Sequence, residues 1–414
     1  MNELIVKKIN KSGNRIEIEY LIEGEWKRYF NEKEKFFIEY DRQIENVPDS
    51  ICIIPFIANI LPIVWITKAS VFLDELDKSF YECIENVKSG YRKMFPKFEF
   101  DGSLEVKQLI DNDYLSSGGS ALFFSGGLDS FSTLIEHMNE KPQIMTIWGS
   151  DIMLNDFEGW KNVKEHIQSV SKDFGVKSNL IKTNFRLFIS ESNLTNLVFE
   201  KAKDGWWHAF QHGIGIISQA APIAYLDKIG KIYIASSYSE YNKASTCASD
   251  PTIDNFVKFA GCNVFHDQYQ LTRLQKAQVI VDYAKNTGIY SKLRVCWISS
   301  GGVNCCNCEK CYRTIYELIA CGENPEKYGM NFNNKINKEA KSFILNPNNI
   351  LESSIPFWKE IKEMFEKNRD KFEHSEYKWI YKIKFDVKKN DNFQKFMGLA
   401  RKIKHKLIKI KNKE

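Results

Sequence analysis

The sequence has few long runs without Asp, Glu, Lys or Arg, and the most apolar of them limits the classes of protein that it can encode. The run covers 51–67 of the 414 residues, which is barely enough to cross a bilayer as a helix. Pro55, Asn59 and Pro62 make a membrane helix still less favourable. We therefore expect no transmembrane segment, and we predict a buried strand–turn–strand at 51–67.

We also expect no secretory signal peptide, and the cysteines do not form a disulfide pattern. Five of the ten cysteines are scattered along the chain, at Cys52, Cys83, Cys247, Cys262 and Cys321. The other five fall within sixteen residues, a density that is typical of metal binding in a reducing compartment. These features predict a cytoplasmic protein.

Charge is unevenly distributed, although the overall composition is that of a globular protein. The hydrophobic share of 43% and charged share of 27% fit a chain with two or three domains. The net charge is +5, yet residues 399–414 hold seven Lys/Arg and one acidic residue, so the rest of the chain is close to neutral. This tail has the spacing of a basic amphipathic helix, which would contact nucleic acid or an anionic membrane, whereas a solvated terminus is the simpler interpretation.

Periodicity divides the chain into three parts. Residues 1–114 predict a small α+β domain with a β-hairpin around Glu23-Gly24, a strand at 36–40 and an amphipathic helix from Leu73 to Tyr91. Residues 326–414 predict a helical region that ends in the basic tail. No internal repeat is visible.

The middle part, residues 115–325, alternates apolar runs with helical patterns. Strands are predicted at 121–124, 143–148, 178–183 and 231–235, with helical periodicity at 163–174 and 209–223. Such alternation favours an α/β fold with a doubly wound, mostly parallel sheet that binds ligands at the carboxyl ends of its strands.

A glycine turn directly follows the first of these strands. It consists of Ser125, Gly126, Gly127, Leu128, Asp129 and Ser130. A strand, a tight turn and a helix start would leave unpaired N–H groups at the positive end of a helix dipole, which suits an anion. The glycines would admit phosphate oxygens, and the two serines would add hydroxyl donors. The alternative is a chance Gly-Gly turn.

This turn is not a Walker loop, because no Gly-Lys-Ser/Thr follows it. Asp129 brings a carboxylate instead, which would orient Mg²⁺ or the turn itself. The string resembles the Ser-Gly-Gly-x-Asp-Ser signature of the PP-loop ATP pyrophosphatases. The resemblance implies that ATP is cleaved between its α- and β-phosphates, with the loop holding the pyrophosphate.

A cysteine cluster lies about 170 residues downstream. Two-residue spacers separate Cys305, Cys308 and Cys311, and Cys296 would supply the fourth thiolate of a closed, structural zinc site. Cys306 is surplus, and the sequence also allows it to replace Cys305. An iron–sulfur cluster is the main alternative to zinc.

The glycine loop and the cysteine spacing together resemble the 7-cyano-7-deazaguanine synthases (QueC). In that family the cysteines hold zinc, and ATP drives conversion of a ring carboxylate to an amide and then a nitrile. The segment 271–281 resembles the family's lysine-bearing helix start and makes Lys276 a catalytic candidate. The chain is about twice the family's length, and 249–254 replaces a Tyr-Pro-Asp-Cys-Arg stretch, so we interpret it as an enlarged relative.

Further candidate residues lie between the two motifs. His208 and His212 are four residues apart at the start of an apolar helix, where they would contact substrate. Asp250 and Asp254 would hold Mg²⁺ or order the substrate, and Asp151 follows the second strand, where adenosine would bind. Ordinary core, capping or surface roles are the alternatives for each.

These observations predict an ATP-dependent ligase that adenylates a carboxylate for attack by ammonia or another amine. Ser125, Asp129 and Lys276 are the expected catalytic residues, and ATP, Mg²⁺ and Zn²⁺ the expected cofactors. The acceptor would be a small molecule related to 7-deazaguanine, or a protein or nucleic acid; a homodimer stays open. Two alternatives are thiolation or amidotransfer on a tRNA base or sugar, and a non-catalytic module that binds ATP and zinc.

Overall fold

The computed structural model describes residues 2–31, 33–114, 118–241, 246–296, 298 and 300–385. The predicted basic tail at 399–414 lies outside this set. Among the described residues, every helix is too short or too polar to cross a membrane.

Strands and helices alternate through the first 114 residues. They are β1 (Glu3–Ser12), β2 (Arg15–Glu23), β3 (Phe36–Tyr40), α1 (Asp49–Cys52), α2 (Ile54–Thr67), β4 (Ser70–Asp77), α3 (Lys78–Met94) and β5 (Ser103–Ile110).

The middle of the chain continues this alternation. Its elements are β6 (Gly119–Phe123), α4 (Leu128–Glu136), β7 (Gln143–Trp148), α5 (Phe157–Phe174), β8 (Ser178–Thr183), α6 (Glu191–Ala202), α7 (His212–Ile217), α8 (Ala221–Asp227), β9 (Ile229–Ala235), α9 (Pro251–Asp254), β10 (Lys258–Phe259), β11 (Cys262–Asp267), α10 (Arg273–Thr287) and α11 (Glu309–Ala320). The four predicted strands and both predicted helical patterns are confirmed. The last part is helical, as predicted, with α12 (Asn334–Ile344), α13 (Ile355–Lys367) and α14 (Arg369–Phe372).

All the named strands join one sheet of eleven strands. Its order is β10-β11-β9-β6-β7-β8-β3-β2-β1-β4-β5. The pairs around β6 are parallel, while β3 pairs antiparallel with β8. The predicted α/β class and mostly parallel sheet are therefore confirmed, and the sheet continues across the boundary predicted at residues 114 and 115.

Helices cover both faces of the sheet around β6. Side chains of β6 and of the residue after it alternate between two apolar cores, with Ala121 and Phe123 in one and Leu122 and Phe124 in the other. The first core includes residues of α2, α3 and α7, and the second includes residues of α4, α10 and α11. Burial on both faces explains why the central strands are apolar without alternation.

Three sequence predictions for the first part are corrected. The hairpin turns at Gly13, whose φ is +61°, while Trp26 lies in the short 3₁₀ helix Glu25–Tyr29. The run 51–67 forms α1 and α2 instead of two strands. The predicted amphipathic helix begins only at Lys78, because Leu73 and Leu76 belong to β4.

Candidate functional site

The loop after β6 leaves the sheet where the chain changes direction across it. From β6 the chain proceeds to β7 and β8 on one side, and then crosses to β9 on the other side. In open α/β sheets, ligands bind at such a switch point, beyond the carboxyl ends of the strands. The glycine turn therefore lies where this architecture most often binds a ligand.

The glycine turn joins β6 to α4, as the sequence predicts. The strand ends at Phe123 and the helix begins at Leu128. Gly126 has a φ of +76°, and a Cβ atom there would lie 2.7 Å from Nε2 of His166. Both the backbone conformation and this close neighbour require glycine. The strand–turn–helix prediction is confirmed, and anion binding stays a prediction.

Polar donors are concentrated at the start of α4. The first N–H groups of a helix have no acceptor within it. The Ser125 hydroxyl accepts a hydrogen bond from the Gly127 N–H at 3.2 Å, and the Ser130 hydroxyl donates to the Gly127 carbonyl at 3.1 Å. The two hydroxyl oxygens are 3.4 Å apart. They border a helix terminus whose dipole favours negative charge.

Asp129, in the first turn of α4, belongs to a largely buried ion-pair network. Its Oδ2 accepts a hydrogen bond from Nη1 of Arg273 at 2.5 Å, and Nε of Arg273 lies 3.2 Å from Oε1 of Glu317. Its other oxygen, Oδ1, is buried and has no hydrogen-bond partner among the described residues. A buried carboxylate oxygen without a hydrogen bond lowers the stability of the folded chain, and such an oxygen is the type of ligand that Mg²⁺ prefers.

The two carboxyl groups that pair with Arg273, those of Asp129 and Glu317, differ in their ionisation. Burial opposes the charge of Asp129, but Arg273 and Lys276 outweigh it and hold the pKa of Asp129 below its ordinary value. Burial raises the pKa of Glu317 to about 7, even though Arg273 acts against this rise. At neutral pH, Asp129 is therefore ionised, although desolvation opposes its charge.

Lys276 lies on α10, within one helical turn of Arg273. Its ammonium donates hydrogen bonds to the carbonyl and the hydroxyl of Ser236, at 2.6 and 2.7 Å. Ser236 directly follows β9, so this contact joins α10 to the other side of the switch point. Burial lowers the pKa of Lys276 to about 8, with Asp129 opposing the fall.

Three further cations surround the loop. Arg294 donates from Nε to the Ser125 carbonyl at 3.0 Å and from its amide to the Gly126 carbonyl at 2.6 Å. Arg313 stacks its guanidinium 4.2 Å from the Phe357 ring centroid. Lys310 makes no hydrogen bond or ion pair with any described residue, and burial lowers its pKa. A polyanion such as a triphosphate is the kind of ligand that this set would bind.

The predicted cysteine set comes together in space. Ligand atoms of Cys296, Cys305, Cys308 and Cys311 all lie within 4.8 Å of one another. The sulfur of Cys305 is 3.4 Å from that of Cys296 and 3.8 Å from that of Cys311. A zinc tetrahedron with Zn–S bonds of about 2.3 Å has sulfur–sulfur edges of about 3.8 Å. The cluster is therefore compatible with a metal ion, and it uses Cys305 and not Cys306.

The cysteine cluster is adjacent to the elements that reach the glycine loop. Cys308 is the N-cap of α11, the helix that carries Lys310, Arg313 and Glu317. Cys296 lies two residues after Arg294, which contacts the loop directly. A metal bound by these cysteines would fix both elements against the loop, a structural role for a closed site.

The two predicted histidines lie together with a cysteine that the sequence did not single out. Cys247 Sγ is 3.8 Å from Nδ1 of His212. His208 Nδ1 is 2.5 Å from Oδ2 of Asp204, and the rings of His208 and His212 are 6.4 Å apart. The helix here begins with a π turn, Trp207–Gln211. A substrate role for the histidines stays a prediction.

The remaining candidates have varied surroundings. Asp250 caps α9 by accepting from the Thr252 amide at 3.0 Å. Asp254 is fully buried and accepts from Ser249 at 2.7 Å, with His266 at 2.9 Å. These contacts give both residues local structural roles. Asp151 is exposed in the turn after β7, and its charge raises the pKa of His212 and opposes the fall of the pKa of Lys310.

Sequence reasoning missed three residues of this region: Arg294, Lys310 and Cys247. Arg294 and Lys310 lie within two residues of predicted metal ligands, and this proximity was the available signal. Cys247 had no such signal, because its histidine partners are more than 30 positions away. Comparison with protein-family models, curated proteins and solved structures finds no match for this chain.

Proposed function

We propose that the protein is an ATP-dependent ligase resembling the 7-cyano-7-deazaguanine synthases, which adenylates a carboxylate and releases pyrophosphate. One observation carries the proposal. A lysine-free glycine loop lies at the switch point of the sheet, and its Asp129 has a buried oxygen without a hydrogen-bond partner among the described residues, amid the cations of α10 and α11. Substrate binding is expected at the same edge.

In this proposal, the loop binds the β- and γ-phosphates of ATP. Amides at the start of α4 and the hydroxyls of Ser125 and Ser130 donate to phosphate oxygens. Lys276 and Lys310 neutralise part of the triphosphate charge. Mg²⁺, held through Asp129, would supply further charge neutralisation at the phosphates. Fixed donors of this kind stabilise the negative charge that gathers on the departing pyrophosphate.

The first step is adenylation of the carboxylate. An oxygen of the substrate carboxylate attacks the α-phosphorus, a new P–O bond forms, and the bond to the oxygen that bridges the α- and β-phosphates breaks. Pyrophosphate takes the bonding electrons and leaves. This step is needed because a free carboxylate has no adequate leaving group at neutral pH, whereas an acyl adenylate can expel AMP.

The second step forms the C–N bond. Ammonia or another amine attacks the acyl carbon, the bond to AMP breaks, and the amine loses a proton. By resemblance, the acceptor is a 7-deazaguanine that bears a ring carboxylate. The product is an amide, which a second cycle of the same chemistry converts to a nitrile. The four cysteines would hold a structural Zn²⁺, because a closed set of four ligands leaves no coordination position for substrate.

The direct test is incubation of the purified chain with Mg-ATP, ammonium and 7-carboxy-7-deazaguanine. Chromatography should detect AMP and pyrophosphate in equal amounts, and mass spectrometry should detect the amide. Release of ADP would contradict the proposal. A sulfur-containing product formed on tRNA would favour the thiolation alternative.

The loop variants Asp129→Asn and Ser125→Ala should reduce pyrophosphate release by at least about 100-fold, because each removes a group held at the phosphates. Metal content should not change, since the cysteines are untouched. Ser169→Ala, at a serine on α5 whose hydroxyl donates to Asp173, is the matched control. Wild-type turnover in both loop variants would refute the assignment of the loop.

A further inference from the structure

We propose that Cys247 is a nucleophile that captures the acyl group as a thioester, with His212 as its base. This inference rests on the proposed function, because it takes the acyl adenylate as its substrate. It concerns a cluster that is separate from the glycine loop and consists of Cys247, His212, His208 and Asp204.

The geometry of this cluster is that of an activated thiol. Nδ1 of His212 lies 3.8 Å from Cys247 Sγ, within reach for proton transfer between sulfur and imidazole. The His208 imidazole is oriented by Asp204 at 2.5 Å. A nucleophile next to a base, with a second histidine fixed by a carboxylate, follows the arrangement used in covalent catalysis.

The backbone holds the thiol segment close to the histidines. The Ala248 amide donates to the His208 carbonyl at 2.9 Å. A Cβ atom on Gly213 would lie 2.4 Å from the Ala248 carbonyl oxygen and 2.5 Å from Oδ1 of Asp254. Only glycine at 213 permits this approach. Ala248, the residue next to Cys247, is therefore held against the helical segment that carries both histidines.

Cys247 differs from the buried thiols that lie away from the cysteine-rich segment 296–311. Burial raises the pKa of Cys52, Cys83 and Cys321 to about 12, as expected for inert structural cysteines. Burial acts in the same direction on Cys247, but His212 and His208 outweigh it and lower this pKa to about 6. The thiolate is the nucleophilic form of cysteine, and the thiol of Cys247 would be ionised at neutral pH.

The cluster lies at the same edge of the sheet as the glycine loop. Cys247 belongs to the segment between β9 and α9, on the opposite side of the switch point from β7. The charge of Asp151 acts on His212, on Lys310 and on Arg294, which contacts the loop. Asp151, in the turn after β7, therefore lies within electrostatic range of both the histidines and the cations of the loop, and the thiol and the proposed phosphate site share this edge of the sheet.

The reaction balances without an oxidant or reductant. The Cys247 thiolate attacks the carbonyl carbon of the acyl adenylate, a C–S bond forms, and the C–O bond to AMP breaks. The amine then attacks the thioester, a C–N bond forms, and the C–S bond breaks to restore the thiolate. On acylation of the thiolate, the His212 imidazolium loses its anionic partner and passes its proton to the departing AMP. The neutral imidazole then takes the proton that the amine loses. The thioester keeps the acyl group on the protein after AMP has left.

The first experiment tests the thiol without any substrate. The full chain is treated with iodoacetamide near neutral pH, and peptide mass spectrometry follows the alkylation of each cysteine. Cys247 should react at least about tenfold faster than Cys321, which is 9% exposed against 8% for Cys247. His212→Asn should remove this difference. If Cys247 reacts no faster than Cys321, the proposal is overturned whatever the substrate.

The second experiment follows the acyl group. The chain is mixed with Mg-ATP and 7-carboxy-7-deazaguanine without amine, quenched in acid, and examined by intact mass and by release with hydroxylamine. The wild-type chain should carry a hydroxylamine-sensitive adduct on Cys247. Cys247→Ala should lose the adduct, and its rate of amide formation should fall by at least about 100-fold. Cys321→Ala should behave as wild type.

Pyrophosphate release from the wild-type chain separates the two proposals. Release without an adduct, together with wild-type amide formation by Cys247→Ala, overturns the thioester and leaves the ligase. No release with this carboxylate counts against the proposed function, and the alkylation result then decides whether Cys247 is an activated nucleophile. A persulfide on Cys247 would indicate sulfur transfer and would overturn the thioester.

Discussion

Lys276 is a cation of the candidate site whose charge changes close to neutral pH. It is 1% exposed, and its ammonium is held by Ser236. Its pKa of about 8 in the folded chain is lower than in the unfolded chain, where lysine titrates near 10.4. Between these two values the unfolded chain binds a proton that the folded chain has released, so stability rises with pH in this window.

Ligand binding should respond to pH in the opposite direction. As the pH rises through about 8, Lys276 loses its charge, and the affinity for pyrophosphate should fall by about tenfold between pH 7 and pH 9. Calorimetric titration of the full chain with Mg-pyrophosphate measures this change. Lys276→Met should bind more weakly at pH 7 and should lose most of this decline.

Lys285→Met is the control for this prediction, because Lys285 lies on the same helix but is half exposed and paired with Glu323. It should keep the affinity and pH dependence of the wild-type chain. Equal pH dependence in the wild-type chain and in Lys276→Met would show that Lys276 does not contact the ligand.

At the residue scale, local motifs were predictable and long-range clusters were not. The strand, the glycine turn and the helix start around Gly126 are encoded by adjacent residues, so the sequence predicted them correctly. The pairing of Asp129 with Arg273 crosses 144 positions. The contact between Cys247 and His212 depends on the close approach at Gly213. Neither arrangement has a spacing signal.

At the scale of elements, α2 shows why full burial defeats a periodicity argument. Every residue from Ile54 to Trp65 is buried, so the helix has no polar face from which a period of 3.6 could be detected. Pro55 is tolerated in the first turn. Asn59, which argued against a membrane helix, donates to the Pro55 carbonyl at 2.8 Å and accepts from Gln211 at 2.8 Å.

The element with the clearest functional consequence is α11, whose first turn is attached to the cysteine cluster. Removing one ligand should release the metal and loosen both Cys308 and the neighbouring Arg294. We expect Cys305→Ala to lose bound zinc, to lose most pyrophosphate release and to have a lower free energy of unfolding. Elemental mass spectrometry on the full chain measures the metal directly, and iron in place of zinc would indicate an iron–sulfur cluster.

Cys306→Ala is the matched control, since Cys306 is adjacent in sequence and outside the set of four. It should retain one metal ion per chain and wild-type activity. Loss of metal from Cys306→Ala with retention in Cys305→Ala would reverse the assignment of the ligands. Full metal retention in Cys305→Ala alone would show that the cluster does not bind metal through this thiol.

At the scale of the whole molecule, the first 114 residues complete the sheet that carries the site. Phe188, after β8, packs on Phe36 and Phe56 with ring centroids 5.1 and 5.7 Å away. The Tyr91 hydroxyl donates to the Phe210 carbonyl at 2.7 Å, and Asp77 accepts from the Ala260 amide at 3.0 Å. The sequence predicted the parts of each region, but it carried no signal for the pairing of β3 with β8, because strand pairing is a long-range contact.

This shared core predicts that residues 115–414 do not fold independently. Without the first part, β8 becomes an open edge strand, Phe188 loses Phe36 and Phe56, and Phe210 loses Tyr91. We expect the fragment 115–414 alone to aggregate or to bind a hydrophobic dye, and to lack a cooperative urea transition. Co-expression with the fragment 1–114 should restore a soluble complex of both pieces, detected by size-exclusion chromatography.

A chain that ends at residue 385 is the control for this truncation, because it keeps every contact among the described residues. It should unfold in urea with the same midpoint as the full chain. If the fragment 115–414 were monomeric, cooperatively folded and active, the first 114 residues would form a separable domain in spite of the continuous sheet. The glycine loop would then be positioned by β7, β9 and the cysteine cluster alone, and the role of the first part would have to be sought in substrate or partner binding.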